Sequence, residues 1–317
     1  MWRGTVGQGG RGLEESSGIQ SRTLASWSRS WENDRHNLSR GDVFVIYEAG
    51  MVESRQFAQF VNEAEARGAK IVLVGDHEQL QAIGAGAPFA PLPSRSAMRS
   101  FRNTPAAGGL AREASVAFAT RRTAEGPAAY HEHGDVRLSE TREDARGEIV
   151  RDYLADRDQR PDGTRVAMAH RRLDVRALNE AIRSELRDSH LLGRGEEGGE
   201  RTLQTNDGKR CFAPGDRIVF LENSRDLGVK NGMLGTVQSV EPHAIQVQLD
   251  GNAPGTDSPR VVDVPVNDYQ SIDHGYATTI HKSQGATVDR AFVLASGTMD
   301  RHLTYVAMTR HRDGAQL

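Results

Sequence analysis

Val43-Phe44-Val45-Ile46-Tyr47-Glu48-Ala49-Gly50 and, further on, Ile71-Val72-Leu73-Val74-Gly75-Asp76 decide how this chain is read. Each opens with a short continuous apolar run, the pattern of a strand buried on both faces of a parallel sheet. Between them Phe57, Phe60, Val61 and Ala64 recur at helical spacing, and Gly68 stands where that helix would stop. The two runs predict a strand–helix–strand unit with a right-handed crossover, and hence an α/β fold. Working outward, Val166–Ala169 reads as a further buried strand, followed by a helix with Val175, Leu178, Ile182 and Leu186 on one face. Phe292-Val293-Leu294 reads as another strand.

Residues 212–269 change character. Ile218, Phe220 and Val229 lead to Asn231-Gly232, a hairpin pair. Leu234, Val237 and Val240 follow, then Ile245, Val247 and Leu249, then the turn pair Asp250-Gly251. Short alternating strands with turn dipeptides predict a small β-barrel inserted in an α/β domain.

With 317 residues the chain is long enough for two or three domains. Its 40 basic and 43 acidic residues leave a net charge of −3, so no global positive field recruits nucleic acid and any such binding uses local grooves. Cys211 is the single cysteine, which excludes an internal disulfide and a cysteine-rich zinc site. No apolar run approaches spanning length and no signal-peptide core opens the chain, so no membrane association and a cytoplasmic location are expected. Residues 1–12, mostly Gly, Arg and polar, read as sequence that has lost its ancestral frame. Residues 91–109 read equally as a flexible loop or as the same kind of disruption.

The chemistry-bearing residues lie at the ends of the predicted strands. After Val43–Ile46 come Tyr47 and Glu48, where a nucleotide motor of two α/β lobes places two carboxylates. One carboxylate holds Mg²⁺ through water and the other polarises the attacking water. Glu48 is suited to the base role. Tyr47 does not replace a ligand of hard Mg²⁺, because a phenol with a pKa of about 10 stays neutral. No metal ligand is therefore assigned. After the next strand, Asp76 and Gln79 lie in Gly75-Asp76-His77-Glu78-Gln79-Leu80, with the Gln79 amide suited to link a γ-phosphate to the nucleic-acid side.

A third cluster, Thr279-Ile280-His281-Lys282-Ser283-Gln284-Gly285, packs hydroxyl, imidazole, ammonium and amide groups into one turn. It reads either as an ordinary polar strand-to-helix turn or as a set of donors for phosphates. Arg310, after Tyr305-Val306-Ala307-Met308-Thr309, is an arginine-finger candidate. The catalytic candidates are thus Glu48, Gln79 and Arg310. The nucleotide contacts are Asp76, Gln79, Gln284 and Arg310, and the DNA contacts are Thr279, His281, Lys282 and Ser283. Three weaker patterns are set aside. Gly7-x-Gly9-x-x-Gly12 has no predicted strand before it. Gly208-Lys209 lacks the upstream glycine of a phosphate loop. His131-Glu132-His133 has no third placed ligand.

These motifs resemble the helicase region of TraA-type conjugative relaxases, whose motor is RecD-like and belongs to helicase superfamily 1. The resemblance spans about residues 13–90 and 110–317. It rests on Ser17-Gly18-Ile19-Gln20-Ser21-Arg22-Thr23, Glu48-Ala49-Gly50-Met51, Gly75-Asp76 with Gln79-Leu80, Gly228-Val229-Lys230-Asn231-Gly232, Asp273-His274-Gly275-Tyr276 and Arg310-His311-Arg312-Asp313-Gly314. It implies two RecA-like lobes, the first incomplete over 1–92 and the second formed by 93–204 and 270–317. An SH3-like β-barrel at 205–269 is inserted in the second. It also implies ATP and Mg²⁺ as cofactors, single-stranded or plasmid DNA and other conjugation proteins as partners, and 5′ to 3′ unwinding as the activity. The chain departs from the pattern in three ways. It contains no Gly-x-x-x-x-Gly-Lys-Ser/Thr loop, Tyr47 stands for an aspartate, and no Arg-Arg-Gln motif is recognisable near Arg95, Arg99 and Arg102. The expectation is a truncated helicase fragment unable to hydrolyse ATP alone; a non-enzymatic DNA-binding fragment or a decayed gene product is the alternative. The better-folded part is expected at roughly 140–317.

Overall fold

A computed structural model describes residues 2–5, 21–75, 130–193, 199–252, 258–283 and 288–317. The chain divides into two compact units. Among the described residues the first holds 2–5, 21–75 and 300–306, and the second holds the remainder.

The first unit is built on four parallel strands: β1 (Trp2–Thr5), β2 (Ser21–Arg22), β3 (Val43–Tyr47) and β4 (Lys70–Val74), in the order β2-β1-β3-β4. β1 lies in a segment from which no strand was expected. Trp2 and Thr5 suit a strand while Gly4 does not, and the placement comes from pairing with β3, Trp2 opposite Val43 through Thr5 opposite Ile46. A strand therefore does precede Gly7, contrary to the reason for setting the glycine pattern aside; the glycines themselves lie outside the described residues, as do residues 91–109.

Helix α1 (Leu24–Glu32) opens where the Thr23 hydroxyl accepts the Ser26 N–H at 3.2 Å. Helix α2 (Ser54–Ala66) joins β3 to β4 and ends before Gly68, whose φ is +64°. Trp27 and Trp31 of α1, Phe44 of β3 and Phe60 of α2 form the core, with Trp27 edge-on to Phe44 at 5.6 Å and Phe44 stacked on Phe60 at 5.7 Å. β3 is buried at its centre as predicted, but β4 is not buried on both faces. Ile71 and Leu73 pack on the core, whereas Val72 and Val74 remain about 40% exposed. Val72 and Val74 lie on the face opposite Ile71 and Leu73, and β4 pairs only with β3 among the described residues.

The second unit carries a parallel sheet in the order β13-β5-β14-β15, from β5 (Arg165–Ala169), β13 (Ala277–Thr279), β14 (Val288–Leu294) and β15 (His311–Gln316). Helix α3 (Arg142–Gln159) is capped by the Thr141 hydroxyl, which accepts from Asp144 N–H at 3.1 Å. Helix α4 (Arg172–Asp188) follows β5 and buries Leu178, Ile182 and Leu186, with Val175 half-buried beside them. Both helices pack on β5. Helix α5 (Arg301–Met308), whose residues up to Val306 fall in the first unit, precedes β15 in the chain and begins at Asp300, whose carboxylate accepts the Leu303 N–H at 2.8 Å.

Between α4 and β13 the chain forms a hairpin and an antiparallel sheet. The hairpin pairs β6 (Arg201–Thr205) with β7 (Gly208–Phe212). The sheet order is β11-β10-β9-β8-β12, from β8 (Arg217–Phe220), β9 (Leu234–Val240), β10 (Ala244–Asn252), β11 (Pro259–Pro265) and β12 (Ile272–His274). Ile218, Phe220, Val237, Ile245, Val247 and Val264 fill one core, so the predicted alternation holds. Asn231-Gly232 forms the turn before β9, where Met233 N–H donates to Lys230 O at 3.1 Å. Asp250-Gly251 makes no turn: β10 runs through both residues. The Arg217 guanidinium forks onto Asp250 at 2.6 and 2.5 Å and holds that carboxylate beside the sheet. The turn between β9 and β10 is Glu241-Pro242-His243, closed by Glu241 N–H donating to Ala244 O at 2.8 Å, and the connection from β10 to β11 lies outside the described residues.

Candidate functional site: two strand-end edges

In the first unit β3 and β4 end level, Tyr47 opposite Val74. Glu48 and Gly75 therefore leave the sheet at the same edge. Glu48 adopts the left-handed region at φ +54°, ψ +44°, which costs a non-glycine residue on the order of 1 kcal/mol. Strain of this kind concentrates where side chains are aimed for a purpose. A short 3₁₀ turn, Ala49–Met51, follows at once. A Cβ on Gly75 would lie 3.0 Å from Ala49 N and 3.3 Å from Gly50 N, so glycine there lets the two strand-end loops meet. Asp76 and Gln79, assigned to this edge, lie outside the described residues. Mg²⁺ does not fit what the strand end offers. Tyr47 supplies a neutral phenol where a carboxylate is needed, and no cluster of three metal-ligating side chains occurs among the described residues. His131 and His133 belong to no such cluster; His133 Nδ1 instead meets Asp135 at 2.8 Å.

In the second unit β13, β5 and β14 also end level: Thr279, Ala169 and Leu294 are in register. The crevice beyond the carboxyl ends of parallel strands is the usual ligand position in open α/β sheets. The chain leaving β13 curls at once, with Lys282 N–H and Ser283 N–H both donating to Thr279 O at 2.9 and 3.1 Å. His281 is exposed and Thr279 and Lys282 are half-buried. Ser283, expected among the DNA contacts, is 3% exposed, and its hydroxyl donates to Ile280 O at 2.8 Å. It holds the turn closed and does not face outward. Gln284 lies outside the described residues.

Arg310 leaves the sheet elsewhere. Its carbonyl accepts the N–H of Val288, the first residue of β14, at 2.9 Å. Thr279 is level with the last residue, Leu294. A seven-residue strand separates the two edges by roughly 20 Å. Tyr130 braces the Arg310 turn from both sides, donating to Met308 O at 3.1 Å and meeting His311 Nε2 at 3.0 Å.

A buried ionic hub, which the sequence reading missed, fixes the strand that carries the Thr279 turn. Asp216 is fully buried and accepts from Arg183 Nε (3.0 Å), the Ala213 N–H (2.7 Å) and the Tyr276 hydroxyl (2.5 Å). Burial first, then the Asp216 carboxylate, push the Tyr276 phenol well above its ordinary value and keep it a donor. Asn179 of α4 closes on the next residue, its amide donating to Ala277 O at 3.1 Å and accepting Ala277 N–H at 2.9 Å. Between them Gly275 passes Ile218 so closely that a Cβ would lie 2.5 Å from its carbonyl carbon. The only signal in the sequence was Gly275-Tyr276 itself, since Asp216 lies far off in a Pro-Gly-Asp turn.

Two parallel-stranded sheets, one continued by an antiparallel insertion before its β13 strand, define a helicase-type α/β fold of the RecA-like class. In agreement, the structure of a Bacteroides Pif1 bound to ssDNA aligns with 99% of this chain and 87% of its own, with a TM-score of 0.58 at 16% identity. Residues 5–141 match the AAA domain family. A probable conjugal transfer protein TraA of Sinorhizobium fredii is 44% identical over 97% of the chain. An ATP-dependent RecD2 DNA helicase of Deinococcus radiodurans is 27% identical over 86% of the chain and 35% of its own length. The chain belongs with the TraA-type conjugal transfer proteins, as their RecD-like helicase region. It spans 27% of the length of the Sinorhizobium relative.

Proposed function

We propose that these 317 residues are the helicase region of a cytoplasmic conjugal transfer protein, one that tracks single-stranded plasmid DNA 5′ to 3′ alongside other conjugation proteins. The observation that carries this reading is the turn Thr279–Ser283 at the carboxyl edge of β13. Its hydroxyl, imidazole and ammonium groups stand where an anionic backbone is bound in such sheets. In this reading 1–92 is a first RecA-like lobe, 93–204 with 270–317 a second, and 205–269 an SH3-like barrel inserted in the latter. Thr279, His281 and Lys282 contact DNA. At the nucleotide, Glu48 is the base, Gln79 couples nucleotide to DNA, Asp76 and Gln284 hold phosphate, and Arg310 senses it.

The chain by itself binds DNA without turning over ATP. The loop whose lysine and backbone N–H groups grip a triphosphate is not among the 317 residues, and Tyr47 gives Mg²⁺ no carboxylate. Anisotropy of a labelled single strand, with an ATPase assay on the same preparation, tests both halves. Saturable DNA binding weakened by Lys282→Ala, with ATP turnover at background, is the expected result. DNA-stimulated turnover abolished by Arg310→Ala would overturn the second half, and absence of DNA binding the first.

A further inference from the structure

From the side chains beside the Thr279 turn we infer that His170 is a second ligand for the nucleic-acid backbone, through its Nε2 atom, with Thr298 and Ser296 orienting it. This deepens the DNA-binding reading above and rests on it.

His170 follows the last residue of β5, Ser296 and Thr298 follow the end of β14, and His281 follows the end of β13. Because the three strands end in register, the four side chains rise from one edge. They are joined: Ser296 Oγ lies 2.9 Å from Thr298 Oγ1, and Thr298 Oγ1 lies 2.9 Å from His170 Nδ1. The His170 and His281 rings face each other with centroids 5.8 Å apart and planes 33° from parallel. The neighbouring Arg171 is turned aside to Asp174 at 3.1 Å.

Each hydroxyl can donate or accept, and the chain of hydrogen bonds is assigned in the direction that leaves Nε2 a donor. With Ser296 donating to Thr298 and Thr298 donating to His170 Nδ1, the imidazole proton resides on Nε2. Nε2 makes no hydrogen bond among the described residues. It is thus an oriented donor on a half-exposed ring beside His281 and Lys282, at the edge where an extended phosphodiester chain would lie. A backbone that contacts Lys282 with one phosphate meets His170 with a neighbouring one. Such contacts fix the position of the strand without reading its bases.

The test uses the full chain and a labelled oligothymidylate at pH 8. His170→Ala is expected to weaken binding about 3–10-fold, the worth of one oriented hydrogen bond. His170→Gln, whose amide N–H₂ falls near the position of Nε2, is expected to stay within about 2-fold of wild type, and Thr298→Val to lose about 2–3-fold. Lys282→Ala is the reference for the site itself. It should also flatten the salt dependence, by about 0.7 in the slope of log affinity against log salt for one phosphate lost from a single strand. If Lys282→Ala weakens binding and His170→Ala does not, the role of His170 is refuted and the DNA site stands. If neither variant changes binding, or the wild-type chain binds no DNA, both fall. A His170→Gln variant as weak as His170→Ala would show that the ring acts by shape, and would also overturn the proposal.

Discussion

β4 and β5 carry similar apolar runs, Ile71-Val72-Leu73-Val74 and Val166-Ala167-Met168-Ala169, yet one is half exposed and the other buried at every residue. β4 pairs on one side only among the described residues, and alternate side chains reach solvent. β5 lies between β13 and β14 and under α3 and α4, and even its opening Arg165 is only 8% exposed. That arginine is tolerated because Asp156 accepts its Nε–H at 2.8 Å while also accepting Arg160 at 2.9 Å. A strand's pattern thus says that it is a strand, and its neighbours decide how much it stabilises. The consequence is an unequal molecule, in which the second unit fixes its candidate site with buried polar bonds and the first relies on an aromatic cluster beneath a partly open sheet.

The largest effect should come from breaking the hub in the second unit. Asp216→Ala leaves the Arg183 guanidinium 10% exposed with Glu200 as its remaining partner, and also strips the Tyr276 hydroxyl of its acceptor. Removing one partner of a buried pair costs about 3–5 kcal/mol. Native-state hydrogen exchange of β5 and β13 amides should report that loss, while β3 amides in the first unit change little. Equal loss in both units would mean that they unfold together and that the comparison drawn from β4 and β5 has no energetic counterpart.

A matched pair of truncations sharpens the contrast directly. Met168 is fully buried in β5, and Met168→Ala should cost about 2–5 kcal/mol through lost burial and a residual cavity. Val72 in β4 is 39% exposed, so Val72→Ala should cost less than about 1 kcal/mol. Denaturant midpoints at unchanged m-value measure both. A Val72 effect as large as that of Met168 would show that β4 is covered by something the described residues do not include.

These contrasts also explain what could be read in advance. The helix face Val175, Leu178, Ile182 and Leu186 and the strand Val43–Ile46 were legible because periodicity is local. So was the strand end that bears Glu48, since a short apolar run followed by a polar burst marks its own end. β1 was not legible, because Trp2–Thr5 becomes a strand only by pairing with β3. The turn proposed at Asp250-Gly251 failed for a related reason: β10 runs through both residues across a register shift to Asn252, and Arg217 forks onto Asp250. His170, Ser296 and Thr298 carry no motif, and only the register of three strands brings them to one edge. Ser283 shows the converse, a residue inside a legible motif whose hydroxyl is spent on its own turn.

The smallest expected effect is a pH dependence confined to the second unit. Burial first of all lowers the His274 imidazole below its ordinary value, against the raising influence of Asp216 and of the bond from Nε2 to Cys211 O at 2.9 Å. Burial likewise lowers His311, whose Nδ1 finds no hydrogen-bond partner among the described residues. A histidine whose folded pKa is depressed takes up its proton more readily when unfolded. The stability it supports is therefore complete above the unfolded value of about 6.5 and declines as the pH falls through the folded value. The urea midpoint of the second unit should hold steady from pH 8 to 7 and drop between pH 6.5 and 5. His274→Gln, which keeps a side-chain N–H for Cys211 O, should make that drop shallower. Following the imidazole C2–H resonance of His274 decides the cause: titration at or above the ordinary histidine value would remove this group from the explanation, leaving His311 alone to account for any acid sensitivity that remains.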